Sequence, residues 1–230
     1  MPMNRRAFAL AAASALAFAL PASAQDELRP RTDAAAAAQP ELVTLEGADR
    51  EAALAQANAS LNAVTRLQSR FVQTAPDGST AAGTLYLQRP GKLRFQYDPP
   101  ATLLIVSDGS VVALRDTALR STERTTLRST PLNLILRSQI NLERDASISR
   151  VARSGEWLVV TARDSSGQTD GAITLHFRGP NAELRSWDVI DAIGARTRIT
   201  LSNITQPESL SASLFRLEDM LERDRPGGRP

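Results

Sequence analysis

From residue 84 onward the chain repeatedly alternates apolar with polar side chains, a period that buries one face of a pleated strand and no face of a helix. Lys92 to Asp98 sets Leu93, Phe95 and Tyr97 against Arg94 and Gln96, and Thr84 to Gln88 places Leu85 and Leu87 on one face. Thr102 to Val106 is more continuously apolar, and Asp108-Gly109 supplies a hairpin turn before Val111 to Leu114. Trp157 to Thr161, Ala172 to Phe177, Leu184 to Val189 and Thr197 to Leu201 continue the series. Asp164 to Gly171 and Gly179 to Ala182 have the polar composition of connecting turns. A helical period appears twice. Ala53, Leu54, Ala57, Leu61, Val64 and Leu67 form one stripe from Asp49 to about Leu67. Pro131 suits a first helical turn, capped by Thr130, ahead of Leu132, Leu134, Ile135 and Leu136. This order predicts a mainly β (α+β) fold, a strongly curved antiparallel sheet of some ten strands with helices over one face.

The ends of the chain predict its address. Arg5 and Arg6 precede an apolar run from Ala7 to Leu20, broken only by Ser14, and Ala22-Ser23-Ala24 offers a signal-peptidase site. Residues 1–24 therefore read as a cleavable signal peptide, too short for a stable membrane anchor, which takes about 20 apolar residues. Asn4-Arg5-Arg6-Ala7-Phe8 partly resembles a twin-arginine signal, so Sec and Tat export both stay open. Residues 25–47 read as a flexible tether, 48–221 as the folded domain, and 222–230 as a polar tail. The chain carries 27 basic and 25 acidic residues. Loss of the leader removes Arg5 and Arg6 and no acid, so the exported chain is balanced and shows no basic excess for nucleic acid. It has no cysteine, hence neither a disulfide nor a thiol for a lipid anchor.

The inventory for catalysis is narrow. His176 is the only histidine and points away from Leu175 and Phe177, so a solvated or structural role is expected. Without cysteine, and with one histidine, the common zinc sites and thiol chemistry are absent. No Gly-x-Ser-x-Gly turn exists, and Lys92, the only lysine, lacks P-loop spacing. Asp188 with Asp191, and Glu143 with Asp145, lie close in sequence, which suits solvated faces and loop ends. No enzyme is expected. The surplus is apolar instead: Phe71, Leu85, Leu87, Leu93, Phe95, Tyr97, Leu103, Ile105, Leu158, Val160, Ile173, Leu175 and Phe177 are candidates either for ordinary core or for the wall of a cavity. Two short helices give little cover to so large a concave face, which favours a groove for an apolar ligand.

From Leu61 to about Leu217 the chain resembles the LolA family of periplasmic lipoprotein carriers. Phe71-Val72-Gln73 is similar to the family's first strand. Gly83-x-Leu85-x-Leu87-x-Arg89-Pro90-x-x-Leu93-Arg94-Phe95-x-Tyr97 resembles its central signature. Leu104 to Gly109 matches the hairpin that follows, Thr130 to Leu136 one of the lid helices, and Ser213-Leu214-Phe215-x-Leu217 the last strand. The family's Pro-Pro-x-Gly ending is missing, replaced by Glu218 to Arg225, and the N-terminal tether is extra.

The resemblance implies an incomplete β-barrel closed by a helical lid, with an apolar interior for the acyl chains of a lipoprotein. Leu93 and Phe95 then face the cavity, and Leu132, Ile135 and Leu136 belong to the lid. Arg89 becomes the latch that holds the lid shut; read without the family, it caps a strand end beside Pro90. The resemblance further implies lipoprotein cargo, a LolCDE-type ABC transporter as donor and a LolB-type receptor or the outer membrane as acceptor. It implies no cofactor, and a monomer suits a diffusing carrier. A carrier of another amphiphile such as a glycolipid, and a sensor of lipidated proteins, use the same architecture and stay open.

Overall fold

The computed structural model describes residues 41–164 and 171–217; the expected signal peptide and polar tail lie outside them. Twelve strands form one antiparallel sheet: β1 (Val43–Thr44), β2 (Arg66–Thr74), β3 (Thr80–Gln88), β4 (Lys92–Tyr97), β5 (Leu103–Asp108), β6 (Val111–Asp116), β7 (Ser121–Thr126), β8 (Ala146–Ser154), β9 (Trp157–Asp164), β10 (Ala172–Arg178), β11 (Glu183–Ile190) and β12 (Arg196–Thr205). Their spatial order is β1-β8-β9-β10-β11-β12-β2-β3-β4-β5-β6-β7. The edges β1 and β7 do not pair, so the barrel is incomplete. The chain crosses the gap between β7 and β8 through a 3-10 turn at Leu127–Ser129, α2 (Asn133–Leu136) and α3 (Leu142–Asp145). That crossing is the lid. The long helix α1 (Gly47–Ala63) buries Ala53, Leu54, Ala57 and Leu61 against the concave face. No helix among the described residues is long and apolar enough to cross a membrane.

Register explains the shared inner face. Leu67 pairs with Leu87 and Leu87 with Leu93, while Leu85 pairs with Phe95 and Phe95 with Ile105. Further round, Val160 pairs with Leu175, Leu175 with Trp187 and Trp187 with Ile199. Alternation along each strand thus becomes an apolar band across the sheet. Gly83, opposite both Phe71 and Tyr97, has a steric reason to be glycine. A Cβ there would stand 2.3 Å from the Gln96 carbonyl oxygen and 2.6 Å from the Phe71 ring. Gly83→Ala is expected to lower the unfolding free energy by about 2 kcal/mol through overpacking. Urea unfolding checks this, and an unchanged midpoint would show that the Gln96 backbone and the Phe71 ring both yield freely.

Several sequence expectations need correction. The first helix ends at Ala63, not near Leu67, because Leu67 is drawn into the β2 ladder. Val43 and Thr44, expected in the tether, pair with Arg153 and Ala152 of β8, and the Leu45 amide donates to Val151 at 2.8 Å. Strands β1, β7 and β8 escaped the periodicity, since β7 is polar on both faces and β8 is bulged between Ile148 and Arg150. Thr130 caps no helix: its hydroxyl donates back to Leu127 O at 2.8 Å, and α2 starts after Leu132. The expected last strand at Ser213–Leu217 is instead a 3-10 turn, Ala212–Phe215, with Ser211 accepting from the Ser213 amide. It lies outside the barrel, where Leu217 packs on Val106 and Ala113. These outward apolar residues of β5 and β6 compete for the segment against a ladder position.

Candidate functional site

Four aromatic side chains cross the middle of the barrel. The Phe71 ring meets Phe95 and Tyr97 edge-on, each at 5.0 Å between centroids, and Phe95 lies 6.3 Å from Trp187. Such contacts add about 0.5–1.5 kcal/mol each beyond burial and favour a fixed arrangement. Two apolar chambers flank this waist. One of about 220 Å³ lies toward the β2–β3 turn and is walled by Phe95, Tyr97, Leu103, Ile105 and Leu132 among the expected residues. The other, of about 570 Å³, lies toward the end of α1 and is walled by Leu85, Leu87, Arg89 and Ile135. Trp187 borders both.

The remaining expected residues pack as closed core. Phe71, Leu93, Leu158, Val160, Leu175 and Phe177 are buried and line neither chamber. Ile173 sits beside Pro131 and Leu134, and Leu136 faces the turn at Gly91. Sequence reasoning missed Trp187, Val189 and Ile199 in the smaller chamber and Leu67, Leu201 and Ile204 in the larger. Period two along β11 and β12 marks most of them as one face, but only the register shows that this face is concave.

The lid is held by backbone hydrogen bonds to polar side chains. Arg89, at the end of β3, donates through Nε to the Ile135 carbonyl at 2.9 Å. One of its terminal nitrogens donates to Val64 O at 2.6 Å and also to Leu61 O. One planar fork thus joins the lid to the carbonyl end of α1, whose last turn carries no basic residue of its own. No carboxylate pairs with Arg89 among the described residues, and burial pushes its pKa down to about 10, still charged at neutral pH. Asn62 brackets Ile140, donating to its carbonyl and accepting from its amide, both at 2.8 Å. Asn58 accepts from the Leu142 amide at 2.9 Å, and the Gly91 amide donates to Leu136 O at 2.8 Å. Alternate polar positions on α1 therefore serve the lid while its apolar stripe serves the core.

Of the four carboxylates expected on solvated faces and loop ends, Asp188 and Asp145 are buried and engaged, while Glu143 is exposed and Asp191 half-buried. Asp188, on the outer side of β11, is 2 % exposed and takes a forked pair from Arg198 at 2.6 and 2.9 Å. His176 Nε2 lies 3.2 Å away, so of the two roles expected for the histidine the structure gives the structural one. Burial opposes ionisation of Asp188, yet Arg198 and His176 outweigh it and hold the carboxyl well below its ordinary range. Asp145 receives Arg144 at 2.8 Å, Arg137 at 3.1 Å and the Asn141 amide at 3.0 Å. Asp191 instead accepts from amides of its own turn. No three His, Asp or Glu side chains among the described residues are grouped to hold a metal ion.

Comparison with known proteins shows the family. The profile described as outer membrane lipoprotein carrier protein LolA matches residues 62–218. An outer-membrane lipoprotein carrier protein of Chromobacterium violaceum is 30 % identical over 172 residues, 71 % of this chain and 82 % of that one. One of Pseudomonas fluorescens is 29 % identical over 169 residues, 66 % of this chain and 77 % of that one. Among solved structures, a LolA superfamily protein of Nitrosomonas europaea aligns at 11 % identity with a TM-score of 0.44, covering 74 % of this chain and 98 % of that one. With the family profile matching residues 62–218, which hold strands β2 to β12, the waist and the lid, this chain belongs to the LolA family.

Proposed function

We propose that the protein is a periplasmic chaperone that takes the acyl chains of lipoproteins leaving the inner membrane and carries them to the outer membrane. The observation that carries this reading is a pair of apolar chambers inside an incomplete barrel, roofed by a segment held to the barrel by hydrogen bonds rather than by a continuous sheet. Each methylene withdrawn from water contributes about 0.8 kcal/mol, so such walls shelter a chain without any specific bond. A lid that must open for entry subtracts its closing energy from binding, which keeps release within reach. The names borne by the relatives point the same way. Donor and acceptor are then a LolCDE-type transporter and a LolB-type receptor or the outer membrane itself. No catalytic group is required.

Purified chain lacking residues 1–24, incubated with spheroplasts, is expected to release newly made lipoproteins into solution. A folded protein that releases none, beside an active transporter, would sink the reading. Mass spectrometry of lipid that co-purifies distinguishes lipoprotein acyl chains from a glycolipid.

A further inference from the structure

The carrier reading treats the interior as one apolar space, but the structure divides it. The larger chamber draws on the first half of β2 and β11 and the second half of β3 and β12. The smaller one draws on the opposite halves of β2, β11 and β12. Between them Trp187, 2 % exposed, stands between Leu175 and Ile199 in the sheet and leans on Phe95. The larger chamber falls within the roughly 300–1,000 Å³ usual for small-molecule sites, and the smaller falls below it. Polar Asn181, Glu183, Arg185 and Gln206 line the larger chamber and suit the wet end of an amphiphile.

We infer that Trp187 is the specificity-determining residue for acyl-chain length: one chain fills the larger chamber, its methyl end stops against the indole, and longer chains gain nothing further. This rests on the carrier reading. A chain growing within an apolar chamber gains about fourfold in affinity per methylene, and a wall ends that gain abruptly. The waist is such a wall, because its rings pack against each other and not around an opening.

The test uses free fatty acids from decanoate to stearate. In a Trp157→Phe chain, which leaves Trp187 as the only tryptophan, affinity should rise by about fourfold per methylene and then level. Adding Trp187→Ala should let it rise past that length. Levelling at the same length in both overturns the inference. Should the alanine variant fail to fold, the intact Trp187 reports directly. Palmitate brominated at its methyl end should quench Trp187 emission more strongly than palmitate brominated beside the carboxylate. Equal or reversed quenching overturns the inference. Measured binding with no quenching also overturns it while leaving the carrier reading intact. Failure of every fatty acid to bind, by calorimetry, removes the carrier reading and this inference together.

Discussion

Arg89→Leu is expected to bind a lipidated cargo about ten- to a hundredfold more tightly than the parent chain, and to hand it on poorly, through loss of the single charge-assisted bond of about 1.5–3 kcal/mol that ties the lid shut. That bond runs from Arg89 Nε to Ile135 O, while its terminal nitrogen caps α1 at Leu61 and Val64. Closing energy spent before a ligand enters is subtracted from apparent affinity, so removing it favours the open, binding-competent state. Thermal stability of the empty protein should fall as well, because the exposed carbonyls at the end of α1 lose their cation. Arg89→Lys separates charge from shape. A lysine keeps the charge but lacks the fork that spans helix and lid together, so partial recovery of release is expected. Transfer from loaded carrier to outer-membrane vesicles, compared with equilibrium binding, is the measurement. A variant that melts earlier yet binds and transfers as before would reduce Arg89 to a helix cap.

The strands from Thr80 to Asp116 were legible because each carries either a clean alternation, as at Leu93 to Tyr97, or a short apolar run beside a turn signal, as on both sides of Asp108-Gly109. The polar strand β7 was not, since its pairing with β6 is a backbone matter that leaves no apolar trace. The same division holds within the site. Phe95, Leu103 and Ile105 were readable as apolar faces, but whether such a face meets a void or another side chain depends on what stands opposite. Leu175 and Phe177 have the same alternation and are fully packed. Trp187 was invisible as a partition because its role requires Phe95, more than ninety positions away in the chain, to lean on it. The latch became legible only through the family signature, as Arg89 beside Pro90 has no local peculiarity that foretells three carbonyl partners. Asp188 was misread for a related reason: its neighbours in sequence are unremarkable, and its partners His176 and Arg198 arrive from the strands on either side.

That outer cluster supports the second large effect. Asp188→Asn is expected to lower the unfolding free energy at neutral pH by about 2–3 kcal/mol, less than the 3–5 typical of a broken buried pair because Arg198 stays partly in water. The loss should depend on pH in a defined direction. An unfolded aspartate ionises near about pH 3.9, and Arg198 with His176 hold the folded carboxyl below its ordinary range despite burial. The stabilisation is therefore complete above about pH 4 and is lost as the pH falls toward the folded value. Urea unfolding at a series of pH values should show the two proteins converging on acidification. Asp145, whose folded pKa is also lowered, is present in both and cancels from the difference. A gap that stays constant with pH would mean that the asparagine disturbs packing and that the charge contributes nothing. The position of this tie matters to the interior. Trp187 and Asp188 are consecutive on β11, one facing the chambers and the other the outer cluster, so the bonds from β10 and β12 to Asp188 stiffen the strand that carries the partition. A barrel that leaves part of its inside unfilled forgoes packing there. Cross-strand charge pairs on its outer face are one place where the rigidity is recovered.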